Sequence, residues 1–251
     1  WYWDGTTLNQ KPTEPMWGTL RTFIVDNTQV CESSPPYAYS TTPGSNFYKD
    51  AKEVFDMPRD NANKSIAYHW DDTPGRTCSA ACHWISITEQ LLKTKGARLD
   101  ECAKAYCLVG FAASDVYAHC WYMKYKYNLL RPVTYIREQF DRQWKSLIYT
   151  PASPDYISAS AAMGGAAPVV LARVTGNPSF TDRTHLGSAL YTPDGGPYVL
   201  PERSFASLTL AGEEQAMSRI AGGVHFRKAC EAGLQSGRCI GERIVNALTF
   251  E

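Results

Sequence analysis

Residues 99–130 are the longest uninterrupted helix-compatible stretch of the chain, rich in Ala, Leu, Tyr and Trp, and nothing halts the pattern before Pro132. Its apolar positions run nearly all the way round, so the predicted helix has no wide solvent face and must pass through the middle of the protein. Shorter helical patterns are left to pack around it. They cover roughly 47–56, 60–71 (Ile66, Ala67 and Trp70 on one face) and 80–95, where Gly96 takes the C′ position. Further along come 158–174 with Ser158 as N-cap and Gly176 near its end, 208–221, and 226–248 beyond the Gly222-Gly223 break. No strand alternation of useful length and no internal repeat is visible, so the expected class is all-α, a helical bundle in a single domain over 46–251. Residues 1–45 are Thr/Pro/Ser/Tyr-rich and read as an irregular N-terminal arm laid over that body. Residues 177–205, with Gly195-Gly196 and prolines, read as a long loop, and long loops in compact domains are often functional.

Charge narrows the function classes. Lys+Arg and Asp+Glu number 25 each in 251 residues, with no block of like charge, which argues against a nucleic-acid binder and a polybasic membrane anchor. The longest low-charge run, 161–172, is broken by Gly164, Gly165 and Pro168 and is too short for a membrane span. The start, Trp1-Tyr-Trp-Asp-Gly5, has no basic or apolar leader segment, so no signal peptide is expected in these residues and the start reads as a processed or truncated point. Eight cysteines, Cys78/Cys82, Cys102/Cys107 and Cys230/Cys239 being close in sequence and Cys31 and Cys120 apart, favour an oxidising compartment over the cytosol. Their connectivity is not readable from spacing, although Cys230–Cys239 is one pair to test. A zinc reading built on Cys78, Cys82 and His83, with His119 and Cys120 elsewhere, lacks a second ligand pair at zinc-finger spacing. Asn63-Lys64-Ser65 is an N-glycosylation sequon, whereas Asn177-Pro178-Ser179 is blocked by its proline.

Three segments concentrate polar chemistry. Lys124 and Arg131 are seven residues apart on the predicted helix, two turns, so both cations project from one face, with Trp121 one turn before Lys124. Two fixed cations on an otherwise apolar helix call for a counter-charge. Ser158, Ala159 and Ser160 open an Ala/Gly helix, so hydroxyls and free N–H groups gather at the positive end of its dipole. Ser218-Arg219 and His225 flank Gly222-Gly223, where backbone can turn and aim the imidazole, and Arg219 adds a planar fork suited to an oxyanion. Each piece alone also reads as a snorkelling cation, a structural cap or a surface residue.

Together they resemble one pattern. Lys124-Tyr-Lys-Tyr-Asn-Leu-Leu-Arg131-Pro132, then the Ser158 segment, then Ser218-Arg219-Ile-Ala-Gly-Gly-Val-His225 follow the order of motifs in the vanadium-dependent haloperoxidases and the wider type 2 phosphatidic acid phosphatase superfamily. The middle motif departs from it: Thr150-Pro-Ala-Ser-Pro-Asp-Tyr-Ile157-Ser158-Ala159-Ser160 has Ile for Pro, Ala for Gly and Ser160 where the family has an acid/base histidine. Weaker echoes at Trp70-Asp71-Asp72 and His83-Trp84 extend the resemblance over roughly 17–247, and the family's further upstream helices are not matched.

The resemblance implies a pocket in which Lys124, Arg131, Ser158, Ala159 and Arg219 bind vanadate or phosphate. His225 is implied as the axial vanadium ligand, or as a phosphatase's nucleophile, with Ser160 in the acid/base position. It also implies that Asp72 pairs with Arg219, that Trp121 and Ser153 stand on the halide side, and that hydrogen peroxide and halide are the substrates. No nicotinamide, flavin or haem is expected. Ala229, four residues after His225, stands where phosphatases carry an acidic residue, so His225 is expected to lack an orienting carboxylate. The rivals are a phosphomonoesterase using His225 and a non-catalytic binding relative. The unmatched upstream helices suggest a partner chain or a homo-oligomer, and the cysteines a secreted or periplasmic protein.

Overall fold

The computed structural model describes residues 11–74, 76–191 and 197–248, with only the backbone of Tyr191. The Trp1–Gly5 start and Gly195-Gly196 lie outside the described residues. Seven of the elements follow the sequence pattern closely. Helices α1 (Asn46–Asp56), α2 (Asn61–His69) and α3 (Ala80–Lys95) are capped by Ser45, Asp60 and Ser79, whose side chains accept from the third residue of the helix, and α3 ends at Gly96 with φ +64°. The long helix is α4 (Leu99–Tyr127), where Glu101 reaches back to accept from the Arg98 N–H at 3.0 Å. At 29 residues it is about 44 Å long. Helices α6 (Ala159–Thr175), α7 (Leu208–Ala221) and α8 (Arg227–Ala247) complete the bundle. No helix among the described residues is long and apolar enough to cross a membrane.

Two expectations are corrected. The long helix stops at Asn128, which takes a left-handed φ of +47°, and Pro132 then opens a separate helix, α5 (Pro132–Gln139). Proline forces the preceding residue into extended backbone, so Arg131 becomes the N-cap of α5 with ψ 156° instead of a rider on α4. Lys124 and Arg131 therefore do not share a helix face. Residues 177–205 are also not a bare loop: β1 (Phe180–Asp182) pairs antiparallel with β4 (Arg203–Phe205), and β2 (Ala189–Tyr191) with β3 (Pro197–Val199). Each strand is three residues long, too short to show alternation in sequence.

The core sits where α6 packs on α8, α7 and α4. Small residues allow the approach: a Cβ at Gly237 would lie 1.9 Å from the Ala162 carbonyl oxygen, and one at Gly212 2.0 Å from that of Gly164. Residues 11–45 contain one short 3-10 turn, Trp17–Thr19, which packs on α4, and further on reach Tyr156, Tyr135 and Lys228 through Ser34 and Ser40. The buried Asp115 carboxylate accepts from the N–H groups of Phe23, Ile24 and Val25 (2.6, 2.9 and 3.0 Å), His119 Nδ1 bonds the Thr28 carbonyl at 2.7 Å, and Cys31 is disulfide-bonded to Cys239. Cys230 is free and buried, so the Cys230–Cys239 pairing is replaced by Cys31–Cys239; Cys78, Cys82, Cys102, Cys107 and Cys120 are also free.

Candidate active site

A cavity of about 430 Å³ opens where α4, the 149–158 segment, the start of α6 and the end of α7 meet. Lys124, Arg131, Arg219 and His225 all line it, together with Asp72, Trp121, Ser153, Ala159 and Ser160, although they span 154 residues of sequence from Asp72 to His225. Ser158 does not line it: it is fully buried, its N–H donates to the Ala229 carbonyl at 3.1 Å, and its Oγ accepts from Ala161 as the N-cap of α6. The cavity wall at this point is Ala159 and Ser160, whose N–H groups stand in the first helical turn without an intrahelical acceptor.

The three cations are buried, Lys124 at 1% exposure and Arg131 and Arg219 at 3% each. Lys124 Nζ donates to the carbonyls of Pro154 (2.6 Å) and Asp155 (3.3 Å). Burial, with the Arg131 charge beside it, pushes the lysine down to about 7. Arg131 donates through Nε to the Ser153 carbonyl, through one terminal nitrogen to Ser153 Oγ, and through the other to the Val224 carbonyl (2.7 Å) and His225 Nε2 (2.8 Å). Burial likewise lowers it, to about 10. Arg219 donates from one terminal nitrogen to the Trp70 carbonyl at 2.7 Å, while its buried Nε–H has no partner. An unpaired buried donor costs about 1–3 kcal/mol.

His225 shows how the site handles protons. Arginine can only donate, so His225 Nε2 is an acceptor and the ring proton sits on Nδ1. Burial, and then the charges of Arg131, Lys124 and Arg219, hold the ring well below its ordinary pKa, so it is neutral with a lone pair on Nε2. Nδ1 lies 3.0 Å from Asp155 Oδ1, off the line of a hydrogen bond. The expectation that His225 lacks a neighbouring carboxylate is therefore corrected: Asp155 fills that place from outside the third motif. Burial pushes the Asp155 carboxyl up to about 7, and its closest cation contact is Arg131 at 4.0 Å. Sequence reasoning passed over Asp155, yet a signal was present: it is the lone charged residue between Lys145 and Arg173.

The implied Asp72–Arg219 pair is not formed either. Asp72 Oδ1 accepts from His83 Nδ1 at 2.8 Å and Oδ2 from Gln215 Nε2 at 3.2 Å, and His185 Nε2 lies 3.6 Å away. His83 Nε2 in turn donates to Asp182, at 2.7 Å, on β1. Burial opposes a charge on His83, but the two flanking carboxylates prevail and raise it to about 10. Asp72 and His83 were both singled out in the sequence but not as partners of each other, and Asp182, which completes the cluster, arrives from a three-residue strand.

Residues 104–250 match a family model described as the VCPO second helical-bundle domain. The chain belongs to the vanadium-dependent haloperoxidase family. A solved structure described as the first bacterial vanadium-dependent iodoperoxidase is 35% identical and superposes over 95% of this chain with a TM-score of 0.87. Holo and apo structures of a bacterial vanadium-dependent chloroperoxidase share the fold at TM-scores of 0.72 and 0.77, with 17% and 16% identity over 94% of the chain. The chain spans 58% of the length of the iodoperoxidase and 55% of that of the chloroperoxidase. No curated protein sequence matches the chain.

Proposed function

We propose that this haloperoxidase-family chain holds a tetrahedral oxyanion, vanadate or phosphate in its place, and that the vanadate-loaded protein oxidises halide with hydrogen peroxide. The observation that carries the reading is the buried, partnerless Nε–H of Arg219 in a cavity that it shares with two further buried cations. Asp155, whose carboxyl burial raises to about 7, stands 4.0 Å from Arg131, and the Asp72 carboxylate on the cavity wall is taken up by His83 and Gln215, so an oxyanion is the counter-charge that the three cations lack. Lys124, Arg131, Arg219, the α6 N–H groups of Ala159 and Ser160, and the Ser160 hydroxyl form the donor set, and His225 Nε2 is the atom offered to vanadium. Vanadate, when bound, supplies Lewis-acid activation of peroxide with no redox change of its own. The chain keeps Nε2 unprotonated, sets the Asp155 carboxyl 3.0 Å from Nδ1, and holds the guanidinium groups in place through the carbonyls of Ser153, Val224 and Trp70.

Ser160 does not titrate near neutrality, so this site works without the family's acid/base histidine, and loss of a general acid typically slows a reaction about 10²–10⁴-fold. The test is bromination of a phenolic dye with vanadate, peroxide and bromide. Slow turnover is expected in the native protein, more in Ser160→His, and none in His225→Ala. Silence in the native protein with activity in Ser160→His identifies a non-catalytic oxyanion binder; silence in both sinks the haloperoxidase reading. Asp155 beside His225 favours a second reading, a phosphomonoesterase, which releases phosphate from an aryl phosphate without peroxide.

The Cys31–Cys239 bond supports a secreted or periplasmic location, and thiol counting on protein from its native source tests it. Met16, Leu20 and Phe23 expose apolar surface, which supports a partner chain or second copy; native mass spectrometry tests that.

A further inference from the structure

Beside the oxyanion cavity lies a second cluster that the proposed reaction does not use. Asp72 and Cys78 stand on the connection from α2 to α3, and His185 on the turn after β1. Asp72 Oδ1, Cys78 Sγ and His185 Nε2 form a nearly equilateral triangle: 3.7 Å from sulfur to oxygen, 3.7 Å from sulfur to nitrogen and 3.6 Å from nitrogen to oxygen. Atoms bound about 2.0–2.3 Å from a tetrahedral zinc ion are about 3.3–3.7 Å apart, and the centre of this triangle lies about 2.1 Å from each corner. We infer that Asp72, Cys78 and His185 form a binding site for one divalent transition-metal ion, zinc in the first place.

The chemistry selects the ion. An oxygen, a sulfur and an imidazole nitrogen suit zinc or cobalt and disfavour magnesium and calcium, which take oxygen ligands. Asp72 and Cys78 as thiolate together neutralise a dication. The surroundings are built as supporting groups of metal sites are: His83 donates to Asp72 and is itself held by Asp182, and Gln215 fixes the other Asp72 oxygen. With both ring nitrogens committed to carboxylates, His83 is a positioning residue and not a ligand. Asp72 also lines the 430 Å³ cavity, so ions reach the triangle from that side and the fourth position is left to water. The zinc reading from the sequence thus changes membership: Cys78 stays, Cys82 is exposed outside the triangle, His83 supports Asp72, His119 bonds the N-terminal arm and Cys120 Sγ the Ile157 carbonyl, and Asp72 and His185 join Cys78. A bound ion would tie the α2–α3 connection to the β1 turn, at the wall of the oxyanion cavity.

The experiment uses the untagged full chain stripped with chelator and titrated with cobalt(II), followed by equilibrium dialysis against zinc with metal analysis. One equivalent per chain is expected, with the visible bands of tetrahedral cobalt and a near-ultraviolet thiolate-to-cobalt band. Cys78→Ser should abolish the thiolate band and, like His185→Ala, weaken binding at least about tenfold, while Cys82→Ser leaves both unchanged. Binding well below one equivalent in the native protein overturns the inference whatever the variants do. So does a thiolate band that survives Cys78→Ser or vanishes with Cys82→Ser.

Discussion

At the scale of single residues, Lys124 and Asp155 set the behaviour of the oxyanion cavity with pH. Burial brings the lysine down to about 7 and the carboxyl up to about 7, so near neutrality one cation is being lost as one anion is gained. Both changes oppose an incoming anion, and a bound anion draws both groups back to their protonated forms. Binding therefore takes up protons, and affinity falls as pH rises through about 7 to 9. Sulfate is the useful probe, because it stays a dianion over this range and the slope belongs to the protein. Calorimetric titration should show a loss steeper than tenfold per pH unit in the native chain. Lys124→Arg and Asp155→Asn should each reduce it toward one proton's worth; a flat profile in the native chain would remove both groups from the site. A second residue-scale outcome concerns Arg219. Replacing it with Lys keeps a charge but loses the fork, so sulfate binding should weaken about tenfold or more at any pH. Lys124, Arg131, Arg219 and His225 were legible in the sequence because motif order carries them. Asp155 was marked only as a lone charge in an uncharged stretch, and the Asp72–His83–Asp182 chain not at all, since nothing in their spacing says which buried groups will face them.

At the scale of elements, the caps and the breakers decided what could be read. Ser45, Asp60, Ser79, Ser158 and Ser207 all stand at helix starts, and their side chains accept from the first turn; of these the sequence reading used only Ser158, and apolar periodicity placed the other four starts to within a residue. The break at Asn128 was missed because the sequence reading ran the helix up to Pro132, whereas Asn128 takes the left-handed C-cap position and Pro132 opens the next helix. That break is what aims Arg131 at His225. Gly237→Ala places a methyl 1.9 Å from the Ala162 carbonyl oxygen, which only a backbone shift relieves, so stability should fall by about 1–3 kcal/mol. Gly110 on α4 is exposed with nothing within 4 Å, and Gly110→Ala should be neutral or raise stability by up to about 1 kcal/mol. Denaturant melts of the two variants beside the native chain check this. Equal effects would mean that the α6–α8 approach is looser than the structure has it.

At the scale of the whole molecule, the family and the all-helical frame were legible because ordered motifs and helix periodicity both persist over most of the chain, whereas the disulfide was not, because eight cysteines leave connectivity open. The bond that forms, Cys31–Cys239, joins residues 208 apart and so fastens the irregular N-terminal segment to α8 at the far end of the sequence. Closing so long a loop restricts the unfolded chain strongly: the chain-entropy account gives about 5 kcal/mol, and measured disulfides typically give about 2–4. Reduction should therefore lower the urea midpoint substantially. The folded arrangement of residues 11–45 should nevertheless survive, because Asp115 still accepts three backbone N–H groups and Trp121 and Tyr125 still donate to the Thr13 carbonyl. Thr13 lines the oxyanion cavity, so its anchoring can be read at the site itself: sulfate affinity in the reduced protein at low denaturant should stay within about threefold of the oxidised value. Cys31→Ser should reproduce both results. A midpoint unmoved by reduction would mean that the two sulfurs are not bonded in solution. A large loss of sulfate binding would mean that the segment depends on the disulfide alone and that Asp115 does not hold it.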